Sequence, residues 1–174
     1  MLLTTSLAWG NDAATMHLRV LTYDRNTQTR GGQDSLVLAI LYDAQDTAST
    51  KDARIQLYVF GEAAKAIQLV SGKQLKLVAV PWNGDQMAAT LRQQRADFLY
   101  ITAGLETHVE AIKKTATQLR TPTLTGSRAL VASGFAVGVA NSGGVKIYIN
   151  RAAARSHGMR FDARVFKHAE LVGE

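Results

Sequence analysis

Histidines are the side chains with which this sequence could most readily bind a metal or transfer a proton. There are four, His17, His108, His157 and His168, and no two lie three or four residues apart, the spacing that puts two ligands on one helical face. No carboxylates cluster with any two of them, and the chain has no cysteine. The sequence therefore predicts no metal site and no catalytic residue, and it implies no cofactor.

Glycine-rich stretches are the second place to look for chemistry, because the backbone N–H groups of such loops can bind phosphate. Gly31-Gly32 precedes a predicted strand, whereas phosphate-binding loops follow a strand and open a helix. Ser71-Gly72-Lys73 resembles the end of a P-loop but lacks the upstream glycine. No G-x-S-x-G motif is present, so a hydrolase nucleophile is not indicated either.

Two short segments gather polar side chains that could contact a ligand or a partner. The first is Tyr23-Asp24-Arg25-Asn26, four hydrogen-bonding residues between a predicted helix and a predicted strand. An ion pair and a cap that hold the helix to the sheet would explain it, and we favour this interpretation. The alternative is a ligand or partner contact on an exposed loop.

The second segment is Ser127-Arg128, which opens a short predicted helix after a strand. Free N–H groups at a helix start, together with the Arg128 guanidinium, could bind an anion. We favour the simpler interpretation, in which Ser127 is an ordinary N-cap.

Composition and charge describe a globular chain of one domain. It has 174 residues, of which 47% are hydrophobic and 20% charged, and its formal net charge is +6. The lysines and arginines are scattered, and no aromatic residues interleave with them as a platform for single-stranded nucleic acid requires. Nucleic-acid binding is therefore not expected, and solvated helix faces explain the basic residues.

The amino terminus resembles the hydrophobic end of a secretory signal. Residues 1–8 are apolar or small, and residues 9–13 turn polar, although no basic residue comes before them. An ordinary frayed terminus is the alternative. We expect an exported protein in which residues 1–12 are the remnant of a signal and residues 13–174 form a single domain. Nothing later approaches the roughly 18 apolar residues of a membrane span, so a membrane-spanning protein is not expected.

Apolar runs and helical periodicity alternate along the chain. Short runs of apolar and β-favouring residues between turn formers predict strands at 35–42, 75–80, 97–102 and 122–124. Spacings of three and four between apolar residues predict helices at 13–23, 51–69, 85–95, 105–120 and 127–132. Strands separated by helices imply parallel pairing, and hence an α/β fold in the form of a three-layer α/β/α sandwich.

The carboxy-terminal part of the chain has a different pattern. Two strand-like runs flank an Asn-Ser-Gly-Gly turn at 141–144, which predicts a β-hairpin that adds an antiparallel edge to the mostly parallel sheet. Asn150 then stands where an N-cap belongs, and Gly158 where the next helix should end. The predicted elements here are strands at 135–140 and 145–150 and helices at 151–157 and 161–171.

A sequence signature runs through this same part. A glycine turn, a strand ending in I-x-I-N, three alanines, a glycine and a final apolar segment follow one another. Its residues are Ile147, Ile149, Asn150, Ala152, Ala153, Ala154, Gly158, Phe161, Ala169 and Val172. This order and spacing resemble the carboxy-terminal signature of the YfiR-like proteins, the DUF4154 family. With weaker matches upstream, the resemblance extends over residues 13–172.

The resemblance implies a non-enzymatic periplasmic regulator that acts by protein contact. Members of the family bind the periplasmic sensor region of membrane-bound diguanylate cyclases and restrain cyclic-di-GMP synthesis, so such a cyclase, or a sensor kinase, is the expected partner. Self-association into a homodimer is an additional possibility that the sequence does not decide. The aromatic amino-terminal segment and the cysteines of some relatives are absent here, which puts the identity of the partner in doubt.

Two other functions remain as alternatives. A periplasmic solute-binding or sensor module would hold a small ligand at the carboxyl ends of the strands, near Asp43, Pro81 and Ala103. The chain lacks the length for the second lobe of a two-domain clamp. An enzyme would need titratable groups that the sequence does not bring together.

Overall fold

Alternation of buried side chains along the strands sets the architecture, because successive side chains of a strand point to opposite faces of a sheet. In the first strand, β1 (Ser35–Tyr42), Leu38 and Ile40 pack into one hydrophobic core, while Ala39 and Leu41 pack into another. All four side chains are fully buried. A strand with two apolar faces must be covered by helices on both sides, as in parallel α/β sheets.

The computed structural model describes the backbone of residues 3–141 and 143–173 and the side chains of residues 12–141 and 143–173. After β1, its strands are β2 (Gln74–Pro81), β3 (Phe98–Ile101), β4 (Thr123–Thr125), β5 (Val137–Asn141), β6 (Val145–Ile149) and β7 (Ala169–Leu171). Within this described part, seven strands form one sheet in the order β2-β1-β3-β4-β5-β6-β7. Neighbouring strands are parallel except in the β5–β6 hairpin, which is antiparallel.

Helices cover both faces of the sheet. They are α1 (Leu3–Thr22), α2 (Thr47–Ile67), α3 (Met87–Gln93), α4 (Val109–Leu119), α5 (Arg128–Ala132) and α6 (Arg151–Ser156). Side chains of α1, α2 and α6 belong to one core, and side chains of α3, α4 and α5 pack into the core on the opposite face. The predicted three-layer α/β/α sandwich, with a mostly parallel sheet and a carboxy-terminal antiparallel hairpin, is confirmed.

Two helices begin earlier than the apolar periodicity predicts. Helix α2 begins at Thr47, because Asp46 caps it by accepting the N–H of Ser49 at 2.7 Å. The backbone of α1 is helical from Leu3 onward and so crosses the predicted boundary between residues 12 and 13. Side chains of residues 1–11 and the turn residue Ser142 lie outside the described residues, and the removal of residues 1–12 stays a prediction.

The predicted helix at 161–171 is wrong. A 3-10 helix, Ala163–Lys167, is capped by the Asp162 carboxylate and is followed by β7. Backbone groups along one side of β6 would otherwise have no partner, and β7 pairs with them in parallel, Ile147 with Ala169 and Ile149 with Leu171. Hydrogen bonding to that open strand edge stabilises a strand here more than the helical spacing of the apolar residues stabilises a helix.

The predicted N-cap of α6 is confirmed and has a second role. The side-chain Oδ1 of Asn150 accepts the N–H of Ala153 at 2.9 Å, which satisfies a free donor at the start of α6. Its Nδ2 donates to the carbonyl oxygen of Val131 in α5 at 3.1 Å. Asn150 is buried, so one side chain joins two helices on opposite faces of the sheet.

Replacing this cap tests both contacts. We expect Asn150→Ala to lower the free energy of unfolding by about 1–2 kcal/mol, because it removes the cap and one of the two donors to the Val131 carbonyl, which also accepts the N–H of Gly134. Asn150→Ser is the matched control: its hydroxyl oxygen can still accept the N–H of Ala153, the donation to Val131 is lost, and it should cost less. Urea denaturation of the three proteins measures the difference, and equal midpoints for Asn150→Ala and wild type would contradict the assignment.

Candidate functional site

Asp24 lies at the centre of the segment 23–26 and is fully buried. Its Oδ1 accepts the backbone N–H groups of Asn26 at 3.1 Å and Arg160 at 2.7 Å. Its Oδ2 accepts the Thr27 hydroxyl at 3.2 Å and lies 3.8 Å from Nε of Arg30. One carboxylate therefore caps the 3-10 helix at 25–29 and fastens it to residue 160; we call this arrangement the Asp24 junction.

Arg30 is a partner of this junction that the sequence analysis did not single out. Its side chain is 15% exposed, and its two terminal nitrogens donate to the carbonyl oxygens of Arg120 at 3.0 Å and Gly158 at 2.5 Å. Burial lowers the pKa of Arg30, and Asp24 opposes that shift. Arg30 thus ties the ends of α4 and α6 to the junction. Nothing in its sequence neighbourhood marks this role, since its partners lie 90 and 128 residues away.

The other residues of the segment divide between structure and surface. Asn26 donates from Nδ2 to the carbonyl oxygen of Gly158 at 2.8 Å, so it adds to the junction. Arg25 is 61% exposed and lies 3.5 Å from the Asp162 carboxylate. The half-buried ring of Tyr23 has the Arg164 guanidinium 6.0 Å from its centroid. Tyr23 and Arg25 are therefore the members of the segment that a partner can reach.

Gly158 completes the junction through its backbone. Its φ is +81°, a conformation that side chains disfavour, and an added Cβ would lie 2.9 Å from the carbonyl oxygen of Arg120. Glycine therefore ends α6 here, as predicted, and also lets two chain segments approach closely.

Ser127 and Arg128 follow the carboxyl end of β4, the central strand of the sheet. The hydroxyl of Ser127 accepts the N–H of Leu130 at 3.3 Å, the predicted N-cap contact. Arg128 donates twice to Oε1 of Glu170, at 3.0 and 2.6 Å, and its guanidinium lies 5.8 Å from the centroid of the Tyr148 ring. The guanidinium that could have held an anion is engaged by a carboxylate of the chain itself.

Two histidines are buried in neutral form. His17 lies between the rings of Phe60 and Tyr100, each 5.7 Å from its own, and burial lowers its pKa to about 3. The pKa of His157 is lowered to about 4, chiefly by burial and further by Lys113. Both side chains serve packing at neutral pH.

A hydrogen-bond chain explains how neutral His157 is held. The Thr123 hydroxyl oxygen accepts the N–H of Ala136 at 2.8 Å and lies 3.0 Å from His157 Nδ1. The Thr123 hydroxyl can donate to Nδ1 or, with its second lone pair, accept from it, so this bond holds the His157 ring in either tautomer.

The strand-end crevice of the solute-binding alternative lies where the strand order reverses, between β1 and β3. Asp43 follows β1, and its carboxylate lies 3.7 Å from Nε2 of His108. The backbone N–H of Ala103, after β3, donates to the Asp52 carboxylate at 2.9 Å. Pro81 ends β2 and is exposed. These groups are near one another, but their polar atoms are bonded within the chain.

The deeper part of the crevice is filled by the chain as well. The hydroxyls of Ser49 and Thr102 are hydrogen-bonded at 2.8 Å, and both side chains are fully buried. Gly104, with a φ of +85°, passes so close to Asp46 that an added Cβ would lie 2.7 Å from its carboxylate oxygen. Donors at the start of α2 are therefore covered by Asp46 rather than open to a ligand.

A family comparison agrees with the carboxy-terminal signature. The YfiR/HmsC-like family, DUF4154, matches residues 38–170, which is most of the chain. The chain belongs to the YfiR/HmsC-like family. This family is a periplasmic, regulatory and non-catalytic one. No curated protein sequence matches the chain. Among the described residues, no helix is long and apolar enough to cross a membrane.

Solved structures with the same fold are larger than this chain. The ABC domain in complex with L-Trp from Streptococcus pneumonia matches with a TM-score of 0.66 and 14% identity, over 91% of this chain and 61% of that one. A conserved domain protein from Vibrio cholerae matches with a TM-score of 0.65 and 12% identity, over 91% and 60%. A ligand-free, open substrate binding protein with adhesive properties from Clostridium difficile matches with a TM-score of 0.56 and 11% identity, over 79% of this chain and 54% of that one. At such identities the likeness shows the fold alone.

The Asp24 junction generates a stability prediction. We expect Asp24→Ala to lower the free energy of unfolding by about 3–5 kcal/mol, because it leaves the buried Arg30 cation without its carboxylate. Arg25→Ala, at the next position but on the surface, is the control and should change it by less than about 1 kcal/mol. Equal stability of the two variants in urea denaturation would show that the junction is dispensable.

The buried histidines generate a pH prediction. In the unfolded chain their pKa is about 6.5, so below that pH the unfolded state binds protons that the folded state does not. Stability should therefore fall as the pH drops from 6.5 towards 4, by up to about 1.4 kcal/mol per pH unit for each histidine. His157→Gln should flatten this dependence between pH 6.5 and 5, whereas His168→Gln, at an exposed position, should not. Parallel slopes for all three proteins would refute the assignment.

Proposed function

We propose that this protein binds the periplasmic sensor region of a membrane signalling protein and restrains its output. A membrane-bound diguanylate cyclase is the partner we favour, with a sensor kinase as the second candidate. The single observation that carries the proposal is the family match over residues 38–170. The export that this role requires, and the removal of residues 1–12, are parts of the same proposal.

The geometry of the Asp24 junction supports binding through a surface that is already ordered. Tyr23 and Arg25 project from a backbone that is itself hydrogen-bonded: the Tyr23 carbonyl accepts the N–H of Asp162 at 2.8 Å, and the Arg25 N–H donates to the Arg160 carbonyl at 3.0 Å. A side chain whose backbone is fixed loses less conformational entropy on binding than one on a mobile loop. The net charge of +6 favours an acidic partner surface, so association should slow as the salt concentration rises.

A second candidate function is the binding of a small solute. The fold shared with a substrate binding protein favours it, as does an open groove of about 580 Å³ beside the start of α2, with Lys51 and Arg54 in its wall. The filled crevice at the strand ends opposes it, because the usual ligand position of such folds is occupied by Asp46, Ser49 and Thr102.

Binding to isolated sensor regions tests the proposal. The full chain, titrated calorimetrically with the periplasmic regions of its host's diguanylate cyclases and sensor kinases, should bind at least one of them, and deleting its gene should raise that protein's output. Arg25→Glu should weaken binding without moving the thermal midpoint. Arg92→Glu is the matched control, an equal charge reversal at an exposed position of α3 on the other helical layer.

Arg128 needs a gentler substitution than Arg25. Reversing its charge would bring two carboxylates together at Glu170 and unsettle the fold, so Arg128→Ala is the informative variant there. Failure of every sensor region to bind, together with binding of a small solute that Lys51→Glu abolishes, would replace the proposed function with the second candidate.

A further inference from the structure

A small cavity with an aromatic wall opens beside the Asp24 junction. Its volume is about 200 Å³. The rings of Phe161 and Phe166 meet there edge to face, with centroids 6.1 Å apart, and the buried side chain of Met159 closes the wall. We call it the arginine pocket, after the cations that line it: Arg151, Arg155 and Arg160.

Three arginines surround this apolar wall. Arg151 and Arg155 lie one helical turn apart on α6, and Arg160 follows on the segment that leaves the helix. All three residues are exposed, and the guanidinium of Arg151 lies 5.2 Å from the centroid of the Phe166 ring. A guanidinium fork next to an aromatic ring offers hydrogen bonds to a carboxylate and an apolar contact to whatever carries it.

Acidic groups around the pocket are already engaged elsewhere. Within 151–168 the one acidic residue is Asp162, whose carboxylate bonds Arg164 at 3.0 Å and lies 3.5 Å from Arg25. The buried Asp24 carboxylate bonds the backbone N–H of Arg160, not its guanidinium, and its other oxygen faces Arg30. No acidic side chain in the described part of the chain pairs with Arg155 or with Arg160.

The exposed guanidinium groups of Arg155 and Arg160 lie at one pocket without an acidic partner among the described residues. A carboxylate from outside could accept hydrogen bonds from either group without displacing an acidic side chain, so the charges of the pocket fit an anionic ligand.

The size of the cavity indicates what kind of ligand enters. Sites for whole small molecules usually occupy about 300–1,000 Å³, so about 200 Å³ suits a single side chain. Protein partners commonly anchor themselves by inserting one such side chain, surrounded by polar contacts, at the centre of an interface. A protein segment therefore fits the pocket better than a free metabolite does.

We propose that the arginine pocket receives an acidic segment of the partner protein, with one aromatic or aliphatic side chain against Phe161 and Phe166 and neighbouring carboxylates on Arg155 and Arg160. This inference rests on the proposed function and assigns its binding surface. The pocket is continuous with the Asp24 junction, since the N–H of Arg25 donates to the carbonyl oxygen of Arg160 at 3.0 Å. Arg25 thus belongs to the edge of the same surface.

A model peptide tests the pocket without the partner. The probe is a capped peptide of alternating glutamate and phenylalanine, compared with its glutamine analogue, and binding to the full chain is measured by calorimetry and by backbone NMR shifts. The glutamate peptide should bind at least about ten-fold more tightly than the analogue and shift resonances of residues 151–166. The double variant Arg155→Gln with Arg160→Gln should lose at least about ten-fold in affinity, whereas Arg92→Gln should lose none.

Several results would contradict the proposal that the arginine pocket receives an acidic segment. These are no binding of either peptide, equal binding to the double variant, shifts confined to residues outside 151–166, or binding to vesicles of anionic phosphatidylglycerol but to neither peptide. The double variant must keep the thermal midpoint of the wild type, and the single variants replace it if it does not. A sensor region that binds the wild type and the double variant equally would refute the pocket and leave the proposed function intact. Binding of the acidic peptide without binding of any sensor region would support the pocket and refute the proposed function.

Discussion

The placement of the segment that follows α6 depends on the buried pair of Asp24 and Arg30. Four groups from two parts of the chain, residues 26–30 and residue 160, converge on the Asp24 carboxylate, and Arg30 extends the network to the ends of α4 and α6. A buried charge is tolerated only when it is paired and its hydrogen bonds are satisfied. The position of residues 158–162 therefore follows from two side chains near the start of the domain.

The same network explains why the residues that we propose for binding lie close together. Fixing the backbone of Arg160 orients its side chain outwards, beside the aromatic wall formed by Phe161 and Phe166. Beyond the carboxyl ends of β1 and β3, Asp46 accepts the N–H of Ser49, and the hydroxyls of Ser49 and Thr102 bond each other, so these polar groups are satisfied within the chain. The fold is shared with a substrate binding protein, yet in this chain the crevice at the strand ends is filled by its own side chains.

Local patterns predicted much of the fold. The buried strand at 35–42 and the cap at Asn150 both follow from neighbouring residues, and both are present. Residues 161–171 were predicted as helix because their apolar spacing is helical, but the open edge of β6, which no local pattern reveals, makes the end of the segment a strand. Asp24 was singled out as part of an ion pair or a cap, whereas Arg30 was not, since its acceptors lie far along the chain. The arginine pocket was missed because its aromatic and basic residues come together only when the chain turns at Gly158.

The hydrogen bond from the N–H of Arg160 to Asp24 joins residues 136 positions apart. Ribosomes add about 5–20 residues per second, so roughly 7–27 s separate the synthesis of these two partners. Throughout that interval the carboxylate lacks one of its donors, and β7, which completes the sheet, has not been made. The Asp24 junction therefore cannot close until Arg160 has been synthesised, and long-range closure of this kind also makes folding slow.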